Sequence, residues 1–171
     1  MKRRGRAAAL LLALMLSLAA ALPAAAEGMV SRADLQDSTL DLSPYEGKAL
    51  FLNFFTEWCP YCMLEMPDIK KIFDEYSKDE LQIILVHVWS GEDERNTQSV
   101  RQKYGMEEMT FFEDKDQSLM ELVGLYGFPT SVFINKDGSP VGTVPYALEY
   151  EDMASVMEFM GVSKAGETSG E

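Results

Sequence analysis

The run LQIILVHVW, residues 81–89, narrows the fold more than any other stretch of this chain. It is apolar almost throughout and rich in β-branched residues, so it needs cover on both faces. A central strand of a parallel sheet meets that need. A second buried strand is expected at LFLNFF, residues 50–55. Between the two, Met63, Met66, Ile69, Ile72, Phe73 and Tyr76 recur at helical spacing and predict a helix over 60–77. Strand, helix and parallel strand make one crossover unit, which is right-handed in nearly all known cases.

The rest of the chain extends that unit. Residues 90–96 read as a loop, 97–104 as a short helix ended by Gly105, 109–113 as a strand, and 117–126 as a helix stopped by Gly127. Strands at 130–135 and 140–145 flank Lys136-Asp137-Gly138-Ser139, a hairpin signal through its Asp-Gly pair. A last amphipathic helix is expected over 150–160, where Met153, Met157 and Met160 point to a core face. Alternation in STLDLS, residues 38–43, predicts a short edge strand. The expected architecture is α/β, a central mixed sheet flanked by helices. It occupies residues 38–161, with a linker over 27–37 and a disordered tail over 162–171.

Residues 1–26 are set apart from the fold. Lys2, Arg3, Arg4 and Arg6 precede an apolar run from Ala7 to Leu22, then Pro23 and Ala24-Ala25-Ala26. This is the form of a secretory signal peptide with a small-residue cleavage site. The alternative is an uncleaved anchor, although the run is short against the ~20 residues a membrane span needs. Either way the domain is expected outside the cytoplasm, secreted, periplasmic or tethered. What remains is strongly acidic: 28 Asp and Glu against 15 Lys and Arg in the whole chain, four of the basic residues being in the leader. Nucleic acid would be repelled by such a surface.

Both cysteines lie in TEWCPYCMLEMP, residues 56–67. As a staple the pair is weak: on the chain-entropy model a four-residue loop gains only ~2 kcal/mol, against ~3 for fifteen residues. As a zinc site it is incomplete, because four ligands are needed and the chain adds one histidine, His87, within an apolar strand. Redox chemistry suits the placement. Pro60 fits the first helical position and makes Cys59 the N-cap, where backbone N–H groups and the helix dipole favour a thiolate. Cys62, one turn on, is placed to resolve a mixed disulfide formed at Cys59.

The motif W-C-P-Y-C resembles the active-site signature of the thioredoxin superfamily. More closely, the chain resembles the extracytoplasmic TlpA/ResA-type thiol–disulfide oxidoreductases, over roughly residues 38–161. Cys59, Cys62, Glu65 and Pro67 reproduce C-x-x-C-x-x-E-x-P, and Asn53 stands where thioredoxin itself has a buried aspartate. Pro67 matches the proline that kinks the active-site helix, and residues 96–113 fit the extra mid-domain helix–strand unit. GFPT, residues 127–130, matches the loop carrying the family's cis-proline, here Pro129. That bond frees the preceding peptide, at Phe128, to pair with substrate; the family often has a smaller residue there.

Glu65 has a rationale of its own. It lies about one turn from Cys62, and a carboxyl partly buried there would have a raised pKa and exchange a proton with that thiol. The resemblance implies Cys59, Cys62 and Glu65 as catalytic residues, with Trp58, Pro60, Tyr61, Phe128 and Pro129 contacting substrate. It implies no cofactor or metal, and a monomer that reduces disulfides of exported proteins such as apocytochrome c, recharged by a membrane electron donor. The rival readings are a disulfide-donating oxidase and a redox-inactive docking module. Pro60-Tyr61 favours the oxidase, but such oxidases insert a large helical domain for which residues 78–126 are too short. His87 reads as a strand residue.

Overall fold

The computed structural model describes residues 29–36, 38–89 and 97–167. The signal-peptide reading of 1–26 and the loop reading of 90–96 lie outside the described residues. Five strands build one sheet: β1 (Ala49–Phe55), β2 (Leu81–Val88), β3 (Thr110–Asp114), β4 (Thr130–Ile134) and β5 (Pro140–Val144). Their order is β3-β2-β1-β4-β5. β1 runs parallel to β2 and β2 to β3, while β4 is antiparallel to β1 and β5 to β4. The parallel half requires crossovers, which α1 (Pro60–Glu75) and α2 (Gln98–Tyr104) supply. α3 (Ser118–Leu122) follows β3, and α4 (Tyr150–Phe159) follows the β4–β5 hairpin. α2 and β3 are the mid-domain helix–strand unit expected over 96–113.

Alternation along β1 and β2 splits the core into two layers. Phe51, Phe55, Ile83, Leu85 and Phe133 pack under Met66, Ile69, Ile72, Met153 and Met157 of α1 and α4. Leu50, Leu52, Phe54, Ile84 and Val86 face the other way, onto Leu35, Leu40, Leu42, Leu119 and Leu125. Each such side chain, fully withdrawn from water, contributes roughly 1.5–3 kcal/mol relative to exposure. Both layers carry the sheet, and the active-site motif sits at the C-terminal edge of β1, where the chain turns into α1.

Three expectations are corrected. STLDLS forms no strand; its last residue opens a 3-10 turn, Ser43–Tyr45. Leu40 and Leu42 satisfy the alternation by burying side chains in the second layer without pairing their backbone. The linker over 27–37 is part of the domain from Val30 onward: Leu35 is fully buried, and Arg32 donates its backbone N–H to Gly138 O at 3.0 Å. Gly138 has φ +86°, and a Cβ there would stand 3.3 Å from Arg32 Cβ, so the hairpin turn needs glycine for both reasons. The tail is ordered through Glu167 rather than loose from 162. Val162 is buried, Ser163 N–H donates to Glu80 Oε2 at 2.6 Å, and Lys164 bridges Tyr76 in antiparallel fashion.

Candidate active site

Cys59 is the N-cap of α1, in extended backbone with φ −82° and ψ 109°. Pro60 takes the first helical position, where its missing N–H is no loss. The turn before it is closed by Cys59 N–H donating to Thr56 O at 3.3 Å. Cys59 and Cys62 are joined in a disulfide, their Cα atoms 5.3 Å apart, and Cys62 N–H points at Cys59 Sγ at 3.2 Å. That N–H, with the helix dipole behind it, is placed to stabilise a thiolate at Cys59 once the bond is reduced. Cys62 is fully buried; Cys59 keeps 4% of its surface. Solvent therefore meets Cys59 first.

Glu65 is 2% exposed, an unusual place for a carboxylate. Burial pushes its pKa from 4.5 up to about 7, while Leu148 N–H, donating to Oε1 at 3.4 Å, and the nearby Asn53 and Ser131 side chains hold it back. Oε2 is buried without a hydrogen-bond partner. Asn53, opposite Ser131 in the β1–β4 register, donates from Nδ2 to Ser131 Oγ at 3.1 Å. Glu65 also lines a 460 Å³ cleft with Tyr61, Leu64, Asp68 and Leu148, so its proton has a route to water.

Around this centre the surface is aromatic. Trp58 is 55% exposed and meets Phe128 edge-on, ring centroids 6.2 Å apart. Tyr61 is 66% exposed. The Phe128–Pro129 peptide bond is cis. Arranged this way, the pair offers one sulfur at the edge of the surface and one fully buried sulfur, with a buried carboxyl three residues further along the same helix. Among the described residues no group of three or more His, Cys, Asp or Glu side chains is placed to hold a metal ion.

A family model described as the AhpC/TSA family matches residues 22–139. The chain belongs to the AhpC/TSA family.

Within this thioredoxin-superfamily grouping, ResA-type proteins are similar to the chain. It is 33% identical over 108 residues to the thiol-disulfide oxidoreductase ResA of Halalkalibacterium halodurans, over 63% of this chain and 60% of that protein. The ResA of Bacillus subtilis is 28% identical over 137 residues, covering 80% of this chain and 73% of that protein. The chain thus spans less than two thirds of the first of these relatives. A solved structure of a secreted Mycobacterium tuberculosis disulfide oxidoreductase, homologous to DsbE of Escherichia coli, shares the fold with a TM-score of 0.61. It is 22% identical, covering 70% of this chain and 87% of that one.

The structure of this AhpC/TSA chain also holds a group that sequence reasoning passed over. His87, at the end of β2, is 2% exposed and bonded on both ring nitrogens. Nε2 lies 2.6 Å from Glu57 Oε2 and Nδ1 lies 2.6 Å from Glu113 Oε2. Glu57 is in the turn leading to Cys59, and Glu113 is on β3, beside β2 in the sheet. No local signal marks these partners, which are 30 and 26 residues away from His87 along the chain. Only the His87↔Glu113 strand register, known once β2 and β3 are paired, would have suggested one of them.

Proposed function

We propose that the chain is an exported thiol–disulfide oxidoreductase that reduces protein disulfides through Cys59 and Cys62. The observation that carries this reading is the stack at the start of α1: Cys59 at the N-cap, Cys62 buried one turn below, and Glu65 buried one turn further with its pKa near 7. In the reduced protein the Cys59 thiolate attacks one sulfur of a substrate disulfide. A Cys59–substrate disulfide forms, and the other substrate sulfur leaves as a thiolate and takes a proton. Cys62 then gives its proton to the Glu65 carboxylate and attacks Cys59 Sγ. The Cys59–Cys62 disulfide forms and the second substrate sulfur departs, so two electrons have passed to the substrate.

Trp58, Pro60, Tyr61, Phe128 and Pro129 are the proposed substrate contacts. Their aromatic surface suits an extended polypeptide more than a small hydrophilic thiol. Substrates are exported proteins bearing disulfides, apocytochrome c among them by resemblance. Electrons come from a membrane protein that reduces the Cys59–Cys62 bond again, and the domain acts as a monomer outside the cytoplasm. Pro60-Tyr61 between the cysteines favours one second reading, an oxidase that donates its disulfide. The test of the proposal is the insulin-disulfide reductase assay: the wild type should be active and Cys59→Ser inactive. An inactive wild type would contradict the enzyme reading and favour a docking module.

A further inference from the structure

The contacts of His87 require a proton count. An ionised carboxylate can only accept, and each of the two meets a ring nitrogen at 2.6 Å. A neutral imidazole has one N–H, so it satisfies one of these contacts and turns a lone pair toward the other oxygen. Two N–H donors, an imidazolium between two carboxylates, satisfy both. The side chain is 3% exposed, so water does not substitute for either partner.

The two partners are not held equally. Glu113 also accepts from Trp89 Nε1 at 2.9 Å on Oε2 and from Thr97 Oγ1 at 2.9 Å on Oε1. Glu57 has no such reserve: its Oε1 is buried without a hydrogen-bond partner. If the ring loses one proton, Glu57 is the carboxylate that lets go. Glu57 and Trp58 are the central residues of the turn closed by the Cys59 N–H to Thr56 O bond.

We infer that His87 is a positioning residue, an imidazolium clamp that holds the Glu57–Trp58 turn against β2 and β3 and so keeps Cys59 at the N-cap of α1. Among the described residues, charged groups face it from the turn, from β3 and from α2. Glu57 comes from the turn and Glu113 from β3. Arg101 of α2 reaches it through Thr97, whose Oγ1 accepts Arg101 Nε at 3.4 Å. Lys115, after β3, lies over the Trp89 ring at 5.3 Å. β1 contributes only the Phe55 ring, 5.4 Å from the imidazole centroid. The clamp ties the proton of one buried ring to the geometry of the nucleophile, through a single hydrogen bond.

His87 is the one histidine of the chain, so 15N labelling of histidine in tag-free protein reads it without ambiguity. At neutral pH the inference expects two proton-bearing ring nitrogens; one bare nitrogen overturns it. The functional part rests on the reading of Cys59 as the attacking thiol, and alkylation of reduced protein reads that thiol directly. At neutral pH, Glu57→Ala, which removes the ring's partner in the turn, should lower the rate per thiolate roughly tenfold, the effect of losing one hydrogen bond to a charged group. Glu57→Gln, whose amide oxygen still accepts from the ring, should keep the wild-type rate. Equal rates for the wild type and Glu57→Ala, or an equal loss in both variants, would overturn the positioning role. A wild type with no insulin reductase activity would sink the oxidoreductase reading and leave both measurements valid.

Discussion

The hydroxyl of Tyr104, the last residue of α2, donates to the backbone carbonyl of Met63 in α1 at 3.0 Å. Pro67 explains why that carbonyl is available. A proline inside a helix has no N–H for the carbonyl four residues earlier, so the helix interrupts its own ladder there. The mid-domain helix repairs the break, and the active-site helix is thereby fixed to its neighbour. Tyr104→Phe should remove about 1 kcal/mol of stability, one net hydrogen bond. A urea midpoint lowered at unchanged slope would show it; an unchanged midpoint would mean water serves the carbonyl equally well.

Glu65 makes stability fall as pH rises. Its carboxyl is raised from 4.5 to about 7 in the fold. Below the unfolded value both states hold the proton and no difference arises. Between the two values the unfolded chain has released it while the folded chain retains it, so unfolding becomes easier by about 1.4 kcal/mol per pH unit. The loss ends above the folded value, at about 3 kcal/mol in total. Subtracting the pH–stability curve of Glu65→Gln from that of the wild type isolates this effect. A flat difference curve would contradict the account of burial.

The same substitution should separate the two chemical steps. Glu65→Gln leaves Cys59 and its N–H partner in place but removes the proposed acceptor for the Cys62 proton. Resolution of a preformed mixed disulfide should slow by about 10²–10⁴-fold, the usual range for a positioned general base. In the wild type that step should rise with pH through about 7, as the carboxyl ionises. Rapid-mixing measurements that find equal resolution rates would remove Glu65 from the mechanism.

Reduced protein exposed briefly to iodoacetamide at neutral pH should be modified at Cys59 ahead of Cys62. The N-cap position and the Cys62 N–H favour a thiolate on the first sulfur, while the second is fully buried. Peptide mass spectrometry distinguishes the two. Preferential modification of Cys62 would reverse the assigned roles.

Much of this architecture was legible because its signals are local. Apolar runs at 50–55 and 81–89, helical spacing after Pro60, and Asp137-Gly138 each act within a few residues. The cysteine motif was readable for the same reason, since N-cap, thiol pair and carboxyl lie within seven residues of one helix start. What was misread or missed depends on pairing across the fold. Leu40 and Leu42 look like a strand because alternation records only which side chains are buried. Val162 and Lys164 look like a tail because Tyr76 and Glu80, which hold that segment, lie far back in the chain. His87 looked like a strand residue, which it is, but its partners come from a turn and a neighbouring strand.

The most direct test of the central claim is the reduction potential of the Cys59–Cys62 pair, taken by equilibrating the protein in glutathione redox buffers. The account predicts a value near ~−270 mV or lower, where thioredoxin lies, so that electrons flow from this pair to substrate disulfides. A value near ~−120 mV, that of a strong thiol oxidant, would contradict it and make the protein a disulfide donor.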